Sequence, residues 1–84
     1  MTFIRMFSFV ESMKKLSELK IGEEATIEKI VDEKLGIRLM ELGLIQGEKI
    51  SVNYFAPLGD PMSITVSNYQ LSLRKSDAEK VLVK

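Results

Sequence analysis

The sequence predicts an all-β domain, a small five-stranded barrel with one short inserted helix. Its 84 residues leave room for a single small domain. From Leu16 onward, short runs alternate apolar and polar residues, which is typical of strands with one buried face. Helical spacing of apolar residues occurs in one stretch of this region, after Asp32. Because the pattern changes near Met13, we predict a barrel domain over residues 13–84, preceded by an apolar extension over residues 1–12.

The inserted helix is predicted from its two ends and its apolar stripe. Asp32 is a good N-cap residue, and the stripe that follows consists of Leu35, Leu39 and Leu42. Gly43 is expected to end the helix in a left-handed conformation. Leu44 then occupies the position at which a side chain packs back on Leu39 in a Schellman motif.

The strands are predicted from side chains that alternate toward one face. The alternating residues are Ala25 and Ile27; Ile50, Val52 and Tyr54; Met62, Ile64 and Val66; Tyr69, Leu71 and Leu73; and the closing run Val81–Val83. Half-buried strands of this kind suit a closed SH3-like barrel better than a parallel sheet.

The turns between these elements are predicted from residues that favour caps or positive φ. Ser17 is expected to cap a single helical turn over Leu16–Leu19, and Ser76 to open a capping box before one short turn. Asn68 is expected to take positive φ in a tight hairpin. Gly43, Gly47, Asn68 and Ser76 are therefore assigned structural rather than binding roles.

Composition excludes several classes of function. Twelve basic and twelve acidic residues give a net charge of zero, which argues against nucleic-acid binding because that needs a basic excess. The chain has no cysteine and no histidine, so Ser-His catalysis and Cys/His zinc sites are excluded. Carboxylates alone favour hard, weakly held cations. We expect no enzymatic activity, no cofactor and no tight transition-metal site.

The chain is also expected to be cytoplasmic. No stretch reaches the roughly 20 apolar residues that a transmembrane helix needs, so direct insertion into a membrane is not expected. The N-terminus lacks a small-residue cleavage site, which argues against a signal peptide.

The inserted helix carries more apolar residues than one buried stripe needs. Ile37 and Met40 fall away from the leucine stripe, among charged side chains. Two interpretations stay open: another part of the chain covers them, or they form an exposed patch that binds a partner. Arg38 and Glu41 form either a solvated ion pair or a polar rim around that patch. Leu44 is predicted to be a third apolar anchor.

A loop with two prolines connects two of the predicted strands. The prolines restrict φ and Gly59 allows a tight bend, so we expect a rigid loop. It is either a structural connector or a preorganised contact loop that loses little entropy on binding. The loop residues in the predicted partner surface are Ala56, Pro57, Leu58, Gly59, Asp60 and Pro61.

At this point the sequence resembles a known family, ferrous iron transport protein A (FeoA), over roughly residues 13–84. The motifs that carry the resemblance are RLMELGLIQG at 38–47, APLGDP at 56–61, LSLR at 71–74 followed by Asp77 and Ala78, the opening LSEL at 16–19 and the closing VLV at 81–83. The helix-end motif and the proline loop at this spacing are hard to match by chance. Ile21 departs from the pattern, since the family often has proline there.

The resemblance implies an SH3-like fold without enzymatic activity. It also implies a cytosolic accessory role beside FeoB, the membrane ferrous iron transporter with a GTPase domain. We therefore expect the chain to bind the cytosolic portion of FeoB and to lie at the inner face of the membrane through that partner. The alternative is a metal- or effector-sensing domain, because the C-terminal domain of iron-dependent repressors has the same fold.

Residues 1–12 lie outside the resemblance and contain three of the four phenylalanines. One stripe of an amphipathic helix is formed by Phe3, Met6, Phe7, Val10 and Met13. Three interpretations stay open: the segment packs on its own barrel over Ile37 and Met40, it packs on a second copy and makes a homo-oligomer, or Met13 is the natural start and the extension is idle. We favour packing, because apolar surface costs about 25 cal/mol per Å² in water.

Overall fold

A computed structural model describes residues 13–84. These residues form six strands, two α-helices and two 3₁₀ turns. The strands are β1 (Lys14–Lys15), β2 (Glu24–Ile30), β3 (Lys49–Phe55), β4 (Met62–Val66), β5 (Tyr69–Leu73) and β6 (Val81–Val83). The helices are α1 (Glu33–Glu41) and α2 (Lys75–Ala78), and the 3₁₀ turns are Leu16–Glu18 and Pro57–Gly59. The predicted all-β domain with a short inserted helix is confirmed.

The strands join one antiparallel sheet in the order β1-β6-β2-β3-β4-β5. β2 belongs to both halves of this sheet: its first residues pair with β3 and its last with β6, with a register shift between Ile27 and Lys29. Such a shift bends a strand and lets the sheet curl around one core. The sequence predicted five strands; the sixth is β1, whose two exposed lysines carry no apolar alternation.

The core lies between the curled sheet and one face of α1. The largest fully buried side chains are Leu16, Ile27, Leu39, Leu44, Ile50, Met62, Ile64, Val66, Val81 and Val83. Two tyrosines predicted to alternate inward are instead exposed. Tyr54 faces solvent because the pairing of β3 with β4 shifts register between Val52 and Tyr54. Tyr69 lies where β5 leaves the hairpin, with its hydroxyl beside Gly43 at the end of α1.

The inserted helix begins and ends where the sequence predicted. The Asp32 side chain accepts a hydrogen bond from the Leu35 backbone N–H at 2.9 Å and so caps α1. Gly43 takes a φ of +94°, and the Leu44 N–H donates to the carbonyl of Leu39 at 2.9 Å. This is the bond that defines a Schellman motif. The chain therefore leaves α1 with Leu44 directed into the core.

Two predictions near the helical segments are wrong. Ser17 lies inside its 3₁₀ turn and does not cap it; instead the Lys15 N–H donates to the Glu18 carboxylate at 2.9 Å. Leu42 was predicted to be buried with the leucine stripe, but it is exposed. It is the C-cap residue, where the chain turns away from the helix axis and carries the side chain off the buried face.

Of the remaining turn predictions, the one for Asn68 is confirmed and the one for Ser76 is wrong. Asn68 does take positive φ in the β4–β5 hairpin, and Gly47 has a φ of +91°. Ser76 is not a cap, which corrects its predicted structural role. α2 begins one residue earlier, at Lys75, whose backbone N–H donates to Asp60 at 2.9 Å. A side chain of the proline loop thus accepts a hydrogen bond from the first residue of α2, where the sequence predicted a capping box at Ser76.

Candidate partner-binding surface

An open apolar groove lies between α1 and β2. We call it the helix groove; it has a volume of about 450 Å³ and its walls include Ile30, Gly36, Ile37, Met40 and Ile45. Ile37 and Met40 are 54% and 56% exposed. Within residues 13–84 no segment covers them, so the described part of the chain leaves this face of α1 open. Apolar surface of this kind, next to charged residues, is typical of a protein-binding site.

The groove arises from the distribution of apolar residues around α1. Leu35 and Leu39 are buried against the barrel. At 3.6 residues per turn, Ile37 and Met40 then lie on a different face and lean toward β2. Gly36, between them and the strand, has no side chain to fill the space. One short helix therefore serves both the core and an exposed apolar surface.

The structure corrects one predicted anchor and adds another. Leu44 has 0% of its surface exposed, so it forms the floor of the groove and does not reach a partner. Its burial follows from the Schellman motif, which directs the residue after Gly43 inward. Ile45, the next residue, is exposed at the rim and was missed by the sequence analysis. Because Leu44 was predicted to pack inward, the sequence could have indicated that the next residue, Ile45, points outward.

The predicted Arg38–Glu41 pair is replaced by a contact between two helices. The Arg38 guanidinium donates to the Asp77 carboxylate of α2 at 3.0 Å. Both side chains keep access to solvent, so this ion pair contributes little to stability. Glu41 stays exposed on α1, as the polar-rim interpretation requires. Arg38 lies on the flank of α1 that faces α2 rather than on the wall of the helix groove.

The proline loop, residues 56–61, is tied down at both ends. The Ala56 N–H donates to the Pro61 carbonyl at 2.9 Å, and the Gly59 N–H donates to the Ala56 carbonyl at 2.7 Å. At its tip Leu58 is fully exposed and has a φ of +71°. Left-handed backbone is unfavourable for leucine, because its Cβ approaches the following carbonyl oxygen. The loop therefore holds an apolar side chain in water at some conformational cost.

The predicted binding residues form two patches joined by α2. Ile37 and Met40 belong to the helix groove, and the proline loop forms the second patch. Asp60 of that loop bonds to the first residue of α2, whose Asp77 in turn bonds to Arg38. Polar contacts through α2 thus connect the proline loop to α1 at Arg38, a residue that does not line the helix groove.

Two carboxylates outside these patches have a lowered pKa. The Leu35 N–H, and next the Lys80 ammonium group, hold the pKa of Asp32 below its ordinary value. The Lys20 backbone N–H does the same for the pKa of Glu23. In each case the largest cause is a backbone N–H in a local cap or turn, so these titrations report on folding rather than on a reacting group.

Between residues 13 and 84, no group of three or more acidic side chains is close enough to hold an ion. In the same part of the chain, no helix is long and apolar enough to cross a membrane.

Comparison with known proteins identifies the family. A model of the FeoA domain matches residues 14–84. The fusion protein of Fe(2+) transport protein A and Fe(2+) transporter FeoB from Porphyromonas gingivalis (strain ATCC BAA-308 / W83) is 39% identical over 72 residues. This match covers 82% of the present chain but only 8% of that relative. The chain thus corresponds to a small part of the fusion protein.

Solved structures agree with the fold. FeoA of Chlorobium tepidum is 41% identical with a TM-score of 0.78, over 83% of this chain and 68% of that one. FeoA of Stenotrophomonas maltophilia, solved with zinc and described as an SH3 domain protein, is 32% identical with a TM-score of 0.75, over 84% and 89%. IdeR of T. acidophilum shares the fold, with a TM-score of 0.76 and 20% identity. That match covers 87% of this chain and 34% of the IdeR chain. The chain belongs to the FeoA family, which functions in ferrous iron transport.

Proposed function

We propose that this chain is a non-catalytic accessory module of ferrous iron uptake. It binds the cytosolic portion of the membrane transporter FeoB and acts in the cytoplasm, at the inner face of the membrane. The observation that carries the proposal is the Porphyromonas gingivalis relative, whose name joins the two proteins in one polypeptide. Covalent fusion keeps two domains at high local concentration, an arrangement that favours contact between them.

The helix groove is the first contact surface in this proposal. Ile37 and Met40 are its apolar anchors, and Ile45 extends the same wall. A methionine adapts its flexible side chain to a partner, so it suits such a surface. Burying half-exposed apolar side chains supplies affinity, while Glu41, exposed on the same helix, helps to select the partner by charge.

The proline loop is the second contact surface. Its backbone bonds hold Leu58 outward before any partner arrives, so little conformational entropy is lost on binding. Arg38 lies between the two surfaces and is itself positioned by Asp77. A partner that spans both patches would pass across this ion pair.

Charge-introducing variants of the full chain test the proposal. Ile37→Asp and Met40→Asp place a carboxylate at exposed positions, so both variants should keep the circular dichroism spectrum of the wild type. Each should weaken binding to the cytosolic portion of FeoB at least tenfold, a change of about 1.4 kcal/mol. Ile21→Asp is the matched control, because Ile21 is 65% exposed and does not line the helix groove. It should bind as the wild type does.

Three results would contradict the proposal. One is a wild-type chain that shows no binding to either the isolated GTPase domain or full-length FeoB. Another is unchanged affinity in both folded groove variants, which would remove the groove from the interface. If both variants are unfolded, Ile37 and Met40 belong to the core, and the contact-surface idea fails.

The rival function, sensing of a metal or effector, rests on fold likeness. The repressor structures that share the fold are 15–20% identical to this chain, which is too low to carry a function across. Titration of the chain with Fe²⁺ and Mn²⁺ separates the two functions. A saturable change in structure on titration would favour the sensor.

A further inference from the structure

β5 is the outer strand at one end of the sheet. The sheet order ends at β5, so among residues 13–84 no strand pairs with its free edge. The edge strand at the other end, β1, is two residues long and both are lysines. A short, charged edge is protected against pairing with another chain, whereas β5 has five residues without a charge or a proline. The free edge of β5 is therefore an open site for a further strand.

Two residues of β5 direct their backbone groups toward this free edge. The two-residue turn of the β4–β5 hairpin makes Val66 and Tyr69 a hydrogen-bonded pair. Because bonded and non-bonded pairs alternate along an antiparallel ladder, Gln70 and Ser72 direct their N–H and C=O groups away from β4. An extended segment beside β5 can bond to these groups, as in the recognition mode in which a peptide adds a strand to a sheet.

A cavity beside β5 indicates which side chains such a segment carries. We call it the edge pocket; it has a volume of about 420 Å³, and its walls include Arg38, Leu42, Ser72 and Arg74. Leu42 is 41% exposed. Arg38 is held by Asp77, whereas in the described part of the chain Arg74 makes no ion pair. An unpaired guanidinium group close to an exposed leucine suits a segment that has both acidic and apolar side chains.

The alternation of side chains along β5 sets the order of these residues in the segment. Leu71 and Leu73 pair with β4 residues on the core side of the sheet, and Leu71 stays only partly buried. Ser72 and Arg74, in extended backbone, alternate to the outer side. A strand added to β5 repeats this alternation, so its apolar side chains lie beside Leu71 and its acidic ones beside Arg74.

We infer that the free edge of β5 binds an extended protein segment in which apolar and acidic residues alternate. The backbone of the segment bonds to Gln70 and Ser72, and its carboxylates lie near Arg74. The edge pocket and the helix groove share no lining residue, so this surface is separate from the groove. The inference holds whether or not the segment belongs to FeoB.

The full chain labelled with ¹⁵N provides the test, and a short acetylated peptide of alternating valine and glutamate is the probe. The peptide should shift the amide signals of Gln70 and Ser72 and leave those of Ile37 and Met40 in place. Ser72→Pro removes an outward N–H without breaking the β4–β5 ladder, so it should weaken binding about tenfold. Ser72→Ala keeps this N–H and is the matched control, which should bind as the wild type does. Arg74→Gln should weaken binding about two- to fivefold.

A second peptide, of alternating valine and lysine, separates the role of charge from that of backbone pairing. Tighter binding of the glutamate peptide supports the inference, and equal or tighter binding of the lysine peptide overturns it. The inference is also overturned if millimolar glutamate peptide shifts neither Gln70 nor Ser72, or if it shifts only Ile37 and Met40. Unchanged affinity in a folded Ser72→Pro variant has the same meaning. If Ser72→Pro does not fold, Arg74→Gln decides: affinity equal to that of Ser72→Ala overturns the inference, and lower affinity supports it.

Discussion

Replacement of Gly43 by alanine should destabilise the domain measurably. At a φ of +94°, an added Cβ approaches the following carbonyl, which costs about 1–2 kcal/mol. The same Cβ would lie 2.7 Å from the Tyr69 hydroxyl oxygen, which is shorter than a van der Waals contact allows. Tyr69 is exposed and can rotate away, so the backbone strain sets most of the cost. For a domain of this size, 1 kcal/mol lowers Tm by roughly 4–8 °C.

Three other glycines of the same chain are matched controls for this measurement. Gly22 and Gly47 also have positive φ, but an added Cβ there meets nothing within 4 Å. Alanine at these two positions should show the backbone cost alone. Gly36 has ordinary helical backbone in α1, and Gly36→Ala should stabilise the domain by about 0.5–1 kcal/mol. Thermal and urea denaturation, followed by circular dichroism, give all four values.

A double-mutant cycle isolates the steric contribution of Tyr69. In Tyr69→Phe the clashing oxygen is absent, and the ring carbons Cε1 and Cζ lie 3.7 Å from the added Cβ, an ordinary contact distance. Gly43→Ala should therefore cost less in the Tyr69→Phe background than in the wild type. The reasoning is refuted if Gly43→Ala leaves Tm unchanged, or if it stabilises the domain as Gly36→Ala does.

Three further predictions follow from the same structure. Because the pKa of Asp32 is lowered in the folded state, ionised Asp32 stabilises the fold above its unfolded pKa of about 3.9, and this stabilisation is lost as the pH falls through the folded pKa. In urea titrations, the difference in free energy of unfolding between the wild type and Asp32→Asn should therefore shrink from pH 7 to pH 2. Leu58→Gly should raise stability by up to about 1 kcal/mol because it relieves left-handed strain, whereas Leu58→Ala should not, and a loss of Tm in Leu58→Gly would contradict this. Calorimetry with Fe²⁺ or Zn²⁺ should detect no stoichiometric site of micromolar or tighter affinity made by protein side chains, because the chain has neither histidine nor cysteine.

The helix ends and the hairpin could be predicted because their causes are local. The carboxylate of Asp32 reaches a backbone N–H three residues away. Gly43 and Asn68 are residues that tolerate positive φ at the position where a helix or a hairpin needs it. Each of these predictions depends on a few neighbouring residues, so one sequence is enough to make it.

The failures come from contacts between distant parts of the chain. The side chain that bonds to the start of α2 comes from Asp60, 15 residues earlier, so the apparent capping box at Ser76 was misleading. Arg38 pairs with Asp77, 39 residues away, rather than with the neighbouring Glu41. Tyr54 turns outward because of a shift in strand pairing. Which distant residue meets which depends on how the sheet curls, and local spacing carries no information on that.

The sequence predicts only part of the candidate site, and the apolar residues of α1 show why. The sequence shows that this helix has apolar residues on two faces, but it does not show which face the barrel covers. The structure assigns the buried face to Leu35 and Leu39, which leaves Ile37 and Met40 exposed. Such a surplus is costly unless something covers it, so it indicates a binding surface before any partner is known. The Ile37→Asp binding assay then asks whether the partner covers this surface in the complex.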